Sequence, residues 1–570
     1  MSKVRNLLFA VVVFIFILGT ITIAGCSRPT AQDEYASMSI RVDKVFSKWD
    51  EADSPGAAVV VVKDGEVVHK GGYGMANLEY GAPITPSTMF EVGSVAKQFT
   101  AMAIALLAAQ GKISLDDDIH TYVPEVPDFG KPITIRHLIH HMSGLRNWEV
   151  LFILEGNLGK ITTKRVLQMI RHQKELNFDP GEEYSYCNAG YVLLAEVVQR
   201  VTGQSFRGWT RANIFEPLGM TNTSFYDDYT RIVKNRAYGY MPKGKGGFRN
   251  VLYTSAAPGP ASLFTTAEDL SEWIKNFEEK RVGGPAVIEQ MLERGLLNNG
   301  TKLDYAFGLE VGEYRGLKRI YHVGGWAGFG SVLVHFPEQR FGVVVLSNLG
   351  LGAFDPVPLA HQITDIYLGD HLTSVEKTKR KALKLKPAIY EGYVGEFVMH
   401  VPYSDAKLVA ITLESGRLMG EVQGEWKVKL VPESETRFFL KGEDTQLTFL
   451  QDGRGKANEI TIRSHGWQLP LPARRLQTLS PDKLIEFTGD CYSEELGTTW
   501  SVILHKGRLI TRHRWQADVR LFPTGTDRFS GNKWWFQEIL FTRDSEGNIA
   551  GFRVSGEDGL VRNVRFDKLS

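Results

Sequence analysis

The sequence Glu91-Val92-Gly93-Ser94-Val95-Ala96-Lys97 stands directly before an apolar run and organises the rest of the chain. Residues 98–109 are almost wholly apolar, and Gly111 follows closely. This pattern predicts a helix that is buried on every side, with Ser94 in its first turn and Gly111 at its C-terminal end. Because residues three apart lie on the same face of a helix, the Lys97 ammonium group can reach the Ser94 hydroxyl.

Ser94 and Lys97 are therefore a candidate nucleophile and base. A serine hydroxyl is a weak nucleophile until a base removes its proton. Burial lowers the pKa of a lysine because it disfavours the charged form, so Lys97 can be that base. The N–H groups at the start of the helix lie near the developing oxyanion. The same Ser-x-x-Lys spacing recurs in polar or turn-like surroundings, typical of solvated side chains, at Ser374, Ser404, Ser480 and Ser530. The interpretation thus depends on partners elsewhere in the chain.

A second motif, Tyr186-Cys187-Asn188, precedes a predicted helix over 191–202, and Tyr-x-Asn occurs nowhere else in the chain. A tyrosine beside an ammonium group can ionise below its ordinary pKa and then carry a proton between the nucleophile and a leaving group. The Asn188 amide can hold a substrate carbonyl or the lysine ammonium. The alternative is an ordinary aromatic loop at a domain edge. Cys187 is interpreted as a small packed thiol.

The third motif, His322-Val323-Gly324-Gly325-Trp326, ends a predicted strand. The glycines Gly324 and Gly325 allow a substrate backbone to come close. The N–H of Gly325 can be a second oxyanion donor beside that of Ser94. His322 can anchor a substrate group or assist proton transfer. A histidine packed in the core or in a turn is the alternative.

Strands are predicted at both ends of the first domain, with helices between them. A hairpin spans 57–69 around the turn Asp64-Gly65. Three further strands are expected at 320–323, 331–336 and 341–347, and helices at 163–173, 191–202 and 266–278. This order predicts an α+β domain in which one antiparallel sheet is flanked by helices.

Together the three motifs resemble the serine β-lactamase and penicillin-binding-protein superfamily. The resemblance is closest to its class C-like branch of D-aminopeptidases, DD-carboxypeptidases and carboxylesterases. The motifs follow one another at intervals of about 90 and 135 residues. Further matching stretches are 88–94, 112–117, 135–145, 264–270 and 306–309. The resemblance covers about residues 51–349 and implies a β-lactamase/transpeptidase-like fold.

The resemblance implies a role for each matching residue. Ser94 would be the acylated nucleophile and Lys97 the base. Tyr186 would relay a proton in acylation and activate water in deacylation, and Asn188 would position the substrate and the lysine. The chemistry needs no metal or cofactor.

One departure from the family pattern bears on the substrate. His322 and Gly324 stand where many relatives have Lys-Thr-Gly, a tripeptide that this chain lacks. The family lysine helps to bind the carboxylate of a β-lactam or peptide, so efficient β-lactam hydrolysis is not expected. Histidine at this position looks like the esterase, D-aminopeptidase and some DD-peptidase branches.

The last third of the chain has a different pattern. Residues 373–388 are lysine-rich and polar, which indicates a linker. Short strand-like runs follow, and they repeat with an offset of about 91 to 94 residues. Each repeat, 389–478 and 479–570, has room for about eight antiparallel strands, enough to close a small barrel. These repeats resemble the lipocalin-like β-barrels appended to several serine hydrolases of this superfamily.

One hydrolase domain followed by two barrels resembles the D-aminopeptidase architecture. In that family a barrel loop enters the catalytic cleft and restricts the substrate. The alternative is a rigid packing module. Four tryptophans of the second repeat are expected mostly to fill a barrel: Trp500, Trp515, Trp534 and Trp535.

The N-terminus has the pattern of a targeting segment. Lys3 and Arg5 precede an apolar run that ends at Cys26, which resembles a bacterial lipoprotein signal over 1–26. Lipidation of Cys26 would anchor an exported protein to a membrane, with an outer-membrane or cell-surface position favoured. Residues 27–39 would be a tether, and 40–372 the hydrolase domain. An uncleaved membrane anchor is the alternative, because the apolar run is long for a signal peptide.

The composition is that of a globular protein. The net charge of +1 gives no reason to expect nucleic acid as a partner, and three cysteines cannot form a disulfide framework. We expect an exported, lipid-anchored serine hydrolase that acts on a small molecule or short peptide, with an amide or peptide of a D-residue as the leading substrate class. The alternatives are an ester substrate, β-lactam resistance and a non-catalytic sensor or scaffold. The sequence does not indicate an oligomeric state.

Overall fold

The computed structural model describes residues 31–156, 159–244, 246–252, 255–374, 380–441, 445–463 and 470–569. The predicted signal segment with Cys26 lies outside the described residues, as does part of the predicted linker, 375–379. Among the helices that are described, none is both long enough and apolar enough to cross a bilayer.

The first domain is built on a six-stranded antiparallel sheet. Its strands are β1 (Ala57–Lys63), β2 (Glu66–Tyr73), β3 (Glu310–Tyr314), β4 (Leu317–Trp326), β5 (Phe329–Phe336) and β6 (Phe341–Ser347). The order across the sheet is β3-β4-β5-β6-β1-β2, so the pairing of β1 with β6 joins the N-terminal hairpin to the strands from the far end of the domain. The predicted hairpin and the three predicted strands are confirmed, and β3 is an additional edge strand.

Helices cover both faces of this sheet, which explains why its central strands are apolar at successive positions. On β1, Val60 packs in the core that contains residues of the helix Lys97–Ala109. Its neighbour Val61 packs in the core that contains residues of the helices Ala31–Phe46 and Pro356–Leu368. The predicted α+β class with a β-lactamase-like arrangement is confirmed.

The longer helices lie between the two groups of strands or next to them. They are Ala31–Phe46, Lys97–Ala109, Thr163–His172, Asn188–Thr202, Ala267–Glu279, Gly284–Met291 and Pro356–Leu368. Shorter helices are Ile135–Ile139, Trp148–Leu154, Phe206–Thr210, Pro387–Glu391 and Pro481–Ile485. Short strands form small separate sheets: Met75–Asn77, Ala82–Pro83, Phe90–Glu91, Ile161–Thr162, Ser224–Phe225, Gly239–Pro242, Phe248–Val251, Ser255–Ala256 and Leu263–Thr265. The predicted helices are present, with ends shifted by a few residues.

The helix that follows the nucleophile motif is buried as predicted. A 3₁₀ turn, Gly93–Ala96, carries Ser94, and the α-helix continues as Lys97–Ala109. Gly111 has a φ of 67°, a left-handed conformation that ends a helix at low cost for glycine.

The N-terminal helix differs from the predicted tether. Residues from position 31 onward are helical, and the Ser39 hydroxyl lies 2.7 Å from Nδ1 of His69 on β2. The Tyr73 hydroxyl donates to Asp43 at 2.7 Å. The folded domain therefore begins before residue 40, because this helix covers one face of the sheet.

The last third of the chain forms two closed barrels of eight antiparallel strands, as predicted. The strands of barrel 1 are Gly395–Met399, Lys407–Glu414, Arg417–Val422, Trp426–Pro432, Arg437–Leu440, Gln446–Gln451, Ala457–Arg463 and Leu471–Arg475. Those of barrel 2 are Gly489–Ser493, Thr498–His505, Arg508–His513, Gln516–Pro523, Arg528–Lys533, Phe536–Arg543, Ile549–Gly556 and Val561–Lys568. Of the four tryptophans, Trp515 departs from the expected filling role because it is 62% exposed, whereas Trp534 is partly buried and packs against the core.

Barrel 2 packs on the first domain through buried polar contacts. The Arg146 guanidinium donates to both carboxylate oxygens of Glu495, at 2.8 and 2.6 Å, and both side chains are buried. The Trp500 indole donates to the Leu154 carbonyl at 2.9 Å. A buried charge pair is costly unless both partners are present, so these contacts hold the barrel in one position.

Candidate active site

Ser94 and Lys97 are in contact, as their spacing predicts. Lys97 Nζ donates to the Ser94 hydroxyl at 3.0 Å and to the Pro260 carbonyl at 3.0 Å. The lysine is fully buried, and burial lowers its pKa to about 7, although the Glu149 carboxylate acts in the opposite direction. Burial thus lowers the pKa of Lys97 in the direction that the sequence predicts.

A buried carboxylate holds the turn that carries the nucleophile. Glu91 accepts the N–H of Gly93 at 2.8 Å and the N–H of Ser262 at 2.9 Å. Gly93 and Ser262 have positive φ values of 51° and 64°. Burial raises the pKa of Glu91 to about 8. This side chain ties the turn before Ser94 to the loop whose Pro260 carbonyl binds the lysine.

The end of β4 lies against the nucleophile turn. A Cβ atom on Gly324 would lie 2.0 Å from the Val92 carbonyl oxygen and 3.0 Å from the Ser94 nitrogen. A Cβ on Gly93 would lie 2.5 Å from the Gly325 nitrogen. This close approach requires the glycines, and it places the main-chain nitrogens of Ser94 and Gly325, the two candidate oxyanion donors, at the contact between the turn and the strand end.

Tyr186 lies beside the pair but is not a phenolate. Its ring centroid is 4.7 Å from Lys97 Nζ. Burial raises the pKa of Tyr186 well above its ordinary value, and an interaction with the Ser94 hydroxyl offsets only part of this. The expected depression of this pKa is wrong for the free site, because the loss of solvent outweighs the neighbouring positive charge.

Asn188 binds a carboxylate that the motifs did not reveal. Its amide nitrogen donates to Glu149 at 2.7 Å, whereas the hydrogen bonds of Lys97 go to Ser94 and Pro260. Burial raises the pKa of Glu149, and the hydrogen bond from Asn188 and the charge of Lys97 oppose that rise. Glu149 follows the motif at 135–145 by only a few residues, but no sequence pattern marked it as a site residue.

His322 is neutral, and both of its ring nitrogens are hydrogen-bonded. Its Nδ1 lies 2.7 Å from the Val323 carbonyl, which can only accept, so Nδ1 is the donor. Its Nε2 then accepts from the Tyr305 hydroxyl at 3.0 Å. Burial, with the charge of Lys97, lowers the pKa of His322 to about 3. In this geometry the ring offers a substrate neither a charge nor a free nitrogen, and Tyr305 is a second residue that the motifs did not reveal.

A loop of barrel 2 reaches the site. Glu557 lies between the last two barrel strands, and it accepts the Asn147 side-chain N–H at 3.0 Å. The same Asn147 nitrogen donates to Glu149. Burial, with the nearby Glu149 carboxylate, raises the pKa of Glu557 to about 8, and a hydrogen bond with Tyr403 of barrel 1 acts in the opposite direction. The carboxylates of Glu149 and Glu557 therefore share one amide partner.

The loop of barrel 2 is fixed by several further bonds. The Asn147 main-chain N–H donates to the Leu560 carbonyl at 3.1 Å. The Arg562 N–H donates to Asn177 at 2.8 Å, and its guanidinium pairs with Glu183 at 2.9 Å. The possibility that a barrel loop enters the cleft, which the sequence left open, is realised in this arrangement.

Several polar atoms of the site lack a partner among the described residues. Among them are Asn188 Oδ1 and Trp148 Nε1. Buried polar atoms are normally hydrogen-bonded, so unpaired ones in a cleft are candidates for binding a substrate. Cys187 is not among them, because its thiol donates to the Leu145 carbonyl at 3.3 Å and burial raises its pKa to about 12. The described residues contain no cluster of three or more side chains that suits a metal ion.

Comparison with known proteins adds a family and a set of relatives. The Beta-lactamase family model matches residues 42–368. Penicillin-binding protein 4* of Bacillus subtilis is 27% identical over 424 residues, which is 71% of this chain and 92% of that protein. D-aminopeptidase of Brucella anthropi is 27% identical over 539 residues, 90% of this chain and 95% of that protein, so the similarity extends into the barrels.

Solved structures show the same fold. The octameric penicillin-binding protein homologue from Pyrococcus abyssi aligns with a TM-score of 0.54 at 24% identity, covering 77% of this chain and 99% of that one. D-amino acid amidase from Ochrobactrum anthropi SV3 aligns with a TM-score of 0.51 at 20% identity, covering 60% of this chain and 99% of that one. At these identities the structures establish the fold and no more.

Proposed function

Because the chain belongs to the β-lactamase family, we propose that this serine hydrolase cleaves the amide bond that follows a D-amino acid with a free amino group. D-aminopeptidases among its relatives, one of them 32% identical over 299 residues, support this substrate class. The reaction passes through an acyl-Ser94 ester. It is completed when water hydrolyses that ester and releases the acid.

In the acylation step the Ser94 oxygen attacks the substrate carbonyl carbon. Lys97 takes the Ser94 proton, which its pKa of about 7 allows, because a large fraction of the amine is uncharged at neutral pH. The new oxyanion accepts hydrogen bonds from the N–H groups of Ser94 and Gly325. The carbon–nitrogen bond then breaks, and the leaving amine takes a proton.

Tyr186 supplies that proton in our proposal. Its raised pKa keeps the hydroxyl protonated in the free site, so it first acts as an acid. The proton that Lys97 took from Ser94 then replaces it. In deacylation the proton transfers occur in the opposite direction, and the same groups take a proton from the attacking water. Asn188 Oδ1, which has no partner among the described residues, is placed to accept an N–H of the substrate.

The charge of the cleft is the observation that favours an amino group over a carboxylate in the substrate. Glu149 and Glu557 both point to the same amide of Asn147, so their carboxylates lie close together. His322, at the position of the family lysine, is neutral. Two neighbouring acidic side chains that can ionise when a cation binds beside them favour an ammonium group over a carboxylate. This supports an aminopeptidase or amidase over a DD-carboxypeptidase or an efficient β-lactamase.

A four-substrate assay tests the assignment. The full-length protein is given D-alanyl p-nitroanilide, its N-acetylated form, a short-chain p-nitrophenyl ester and a chromogenic cephalosporin. We expect turnover to be fastest with the free amine and to be abolished by Ser94→Ala. Faster turnover of the ester would make the protein a carboxylesterase. Covalent capture of the cephalosporin without turnover of either amide would refute the aminopeptidase proposal in favour of a β-lactam-recognising protein.

We also propose that the protein is exported and held on a membrane by a lipid on Cys26. The basic residues, the apolar run and the cysteine that ends it support this. Cys26→Ser should remove metabolic labelling by a fatty acid and move the protein from the membrane fraction to the soluble fraction. Retention of the variant in the membrane fraction would instead favour an uncleaved anchor.

A further inference from the structure

His141 holds both neighbours of Tyr186. It follows the short helix Ile135–Ile139 and is fully buried. Its carbonyl accepts the N–H of Ser185 at 2.9 Å, and its ring Nδ1 accepts the N–H of Cys187 at 3.0 Å. One residue thus fixes the main chain immediately before and immediately after the tyrosine.

The ring of His141 also packs on the tyrosine itself. The two ring centroids are 4.2 Å apart with an interplanar angle of 39°. Tyr305 and Tyr191 surround the other sides of the imidazole, with centroids at 4.6 and 5.1 Å. Because Nδ1 accepts a hydrogen bond, the proton of the neutral ring is on Nε2. The imidazole is therefore a neutral support rather than a base.

The backbone of His141 is unusual in a way that serves this contact. Its φ is 58°, in the left-handed region that non-glycine residues rarely adopt. The turn directs the carbonyl and the ring of one residue to the same loop. The preceding residue, His140, is equally buried but points elsewhere: its ring nitrogens lie 3.0 and 3.2 Å from the carbonyls of Arg136 and Glu293. His140 therefore provides a matched control.

We infer that His141 is a positioning residue that sets the place of the Tyr186 hydroxyl relative to Ser94. This inference rests on the proposed function for the role of Tyr186 in proton transfer. The positioning itself is a structural statement, and it is testable whether or not the substrate class is right. His141 does not touch the reacting atoms and exchanges no proton in this scheme.

Three substitutions separate the hydrogen bond from the ring packing. His141→Asn retains an acceptor at nearly the same place as Nδ1, and asparagine tolerates the left-handed conformation. His141→Phe retains a ring and loses the acceptor, and His141→Ala loses both. His140→Asn is the control for removing a buried histidine from the same turn. Each full-length variant is examined by crystallography, by thermal unfolding and by kcat and KM on D-alanyl p-nitroanilide.

We expect the 185–187 main chain and the Tyr186 ring to shift in the alanine and phenylalanine variants, with a loss in kcat of roughly ten- to a hundredfold, because small misplacements of a catalytic group have effects of this size. KM should change little, and the asparagine variant should recover most of the rate. His140→Asn should lower the unfolding temperature but leave kcat within about twofold.

The possible outcomes distinguish failure of the positioning role from failure of the proposed substrate class. An unshifted Tyr186 in the alanine and phenylalanine variants would overturn the positioning role, whatever the kinetics. A loss of kcat in His140→Asn equal to that in His141→Ala would also overturn it, since it would point to general destabilisation. A shifted Tyr186 in a protein whose wild type cleaves no amide would uphold the positioning and refute the proposed substrate.

Discussion

The substitution Glu557→Gln tests whether the loop of barrel 2 binds the amino group of the substrate. Glutamine has nearly the same shape and can still accept the Asn147 N–H, but it cannot ionise when an ammonium group binds beside it. A hydrogen bond to a charged partner contributes about 1.5–3 kcal/mol. At 1.36 kcal/mol per factor of ten, kcat/KM for D-alanyl p-nitroanilide should fall by roughly 10- to 150-fold. The N-acetylated substrate has no ammonium group, so its slower turnover should be unaffected.

Glu557→Gln should also change how the stability of the protein depends on pH, which can be measured without a substrate. Burial raises the pKa of Glu557 from 4.5 to about 8, so the folded state favours the neutral acid. The resulting stabilisation is complete below pH about 4.5 and is lost as the pH rises through about 8. A pKa shift of this size contributes at most about 5 kcal/mol to the free energy of unfolding. Glu557→Gln removes this titration, so its unfolding temperature should fall less between pH 6 and 9 than that of the wild type.

Glu546→Gln is the matched control, since this carboxylate is exposed in the turn before the strand that precedes Glu557. It should leave both the kinetics and the pH dependence of unfolding unchanged. Two results would refute the proposal that this loop binds an ammonium group. One is an equal fall in kcat/KM for the free and the acetylated substrate, and the other is an unchanged kcat/KM for the free amine.

Three further predictions concern the catalytic pair and the interfaces. The rate of Ser94 phosphonylation by a fluorophosphonate, with loss of fluoride, should rise with pH around an apparent pKa of about 7 and then level, because Lys97 must lose a proton; a rate that is flat from pH 5.5 to 8.5 would contradict the lysine as base. Glu91→Gln should slow acylation by about tenfold or more. The side-chain oxygens of Glu91 each accept one main-chain N–H, and glutamine would replace one of these oxygens by an NH₂ group, so that one main-chain N–H would lose its acceptor. Arg146→Ala should lower the free energy of unfolding by roughly 3–5 kcal/mol by leaving the buried Glu495 carboxylate without its partner, whereas an effect below about 1 kcal/mol by chemical denaturation would show that barrel 2 is not held by this pair.

Local patterns were sufficient for much of the fold and for part of the site. The contact of Ser94 with Lys97 follows from helix periodicity, and the lowered pKa of the lysine follows from the apolar run around it. Alternation and turn residues marked the hairpin and the strands that pair in the central sheet. The repeat at a near-constant offset indicated two similar barrels before their closure was seen.

Other features arise from residues that are distant in the chain and have no spacing rule between them. Glu557 reaches the cleft only because barrel 2 packs on the first domain through Arg146, and Tyr305 meets His322 only across the folded site. The direction of the Tyr186 pKa shift also depended on the fold. For Tyr186 two opposing effects compete, an adjacent ammonium and the loss of water, and only the tertiary structure decides that burial is the larger.

The sequence by itself therefore identified the candidate nucleophile, its candidate base and the order of domains, because those depend on neighbours within a few turns of chain. Tertiary structure alone decided the charge of the cleft and the protonation of its tyrosine and histidine. The physical reason is that electrostatic free energies depend on distance and on exclusion of solvent, and both are set by surfaces that meet only after the barrels and the hydrolase domain have packed together.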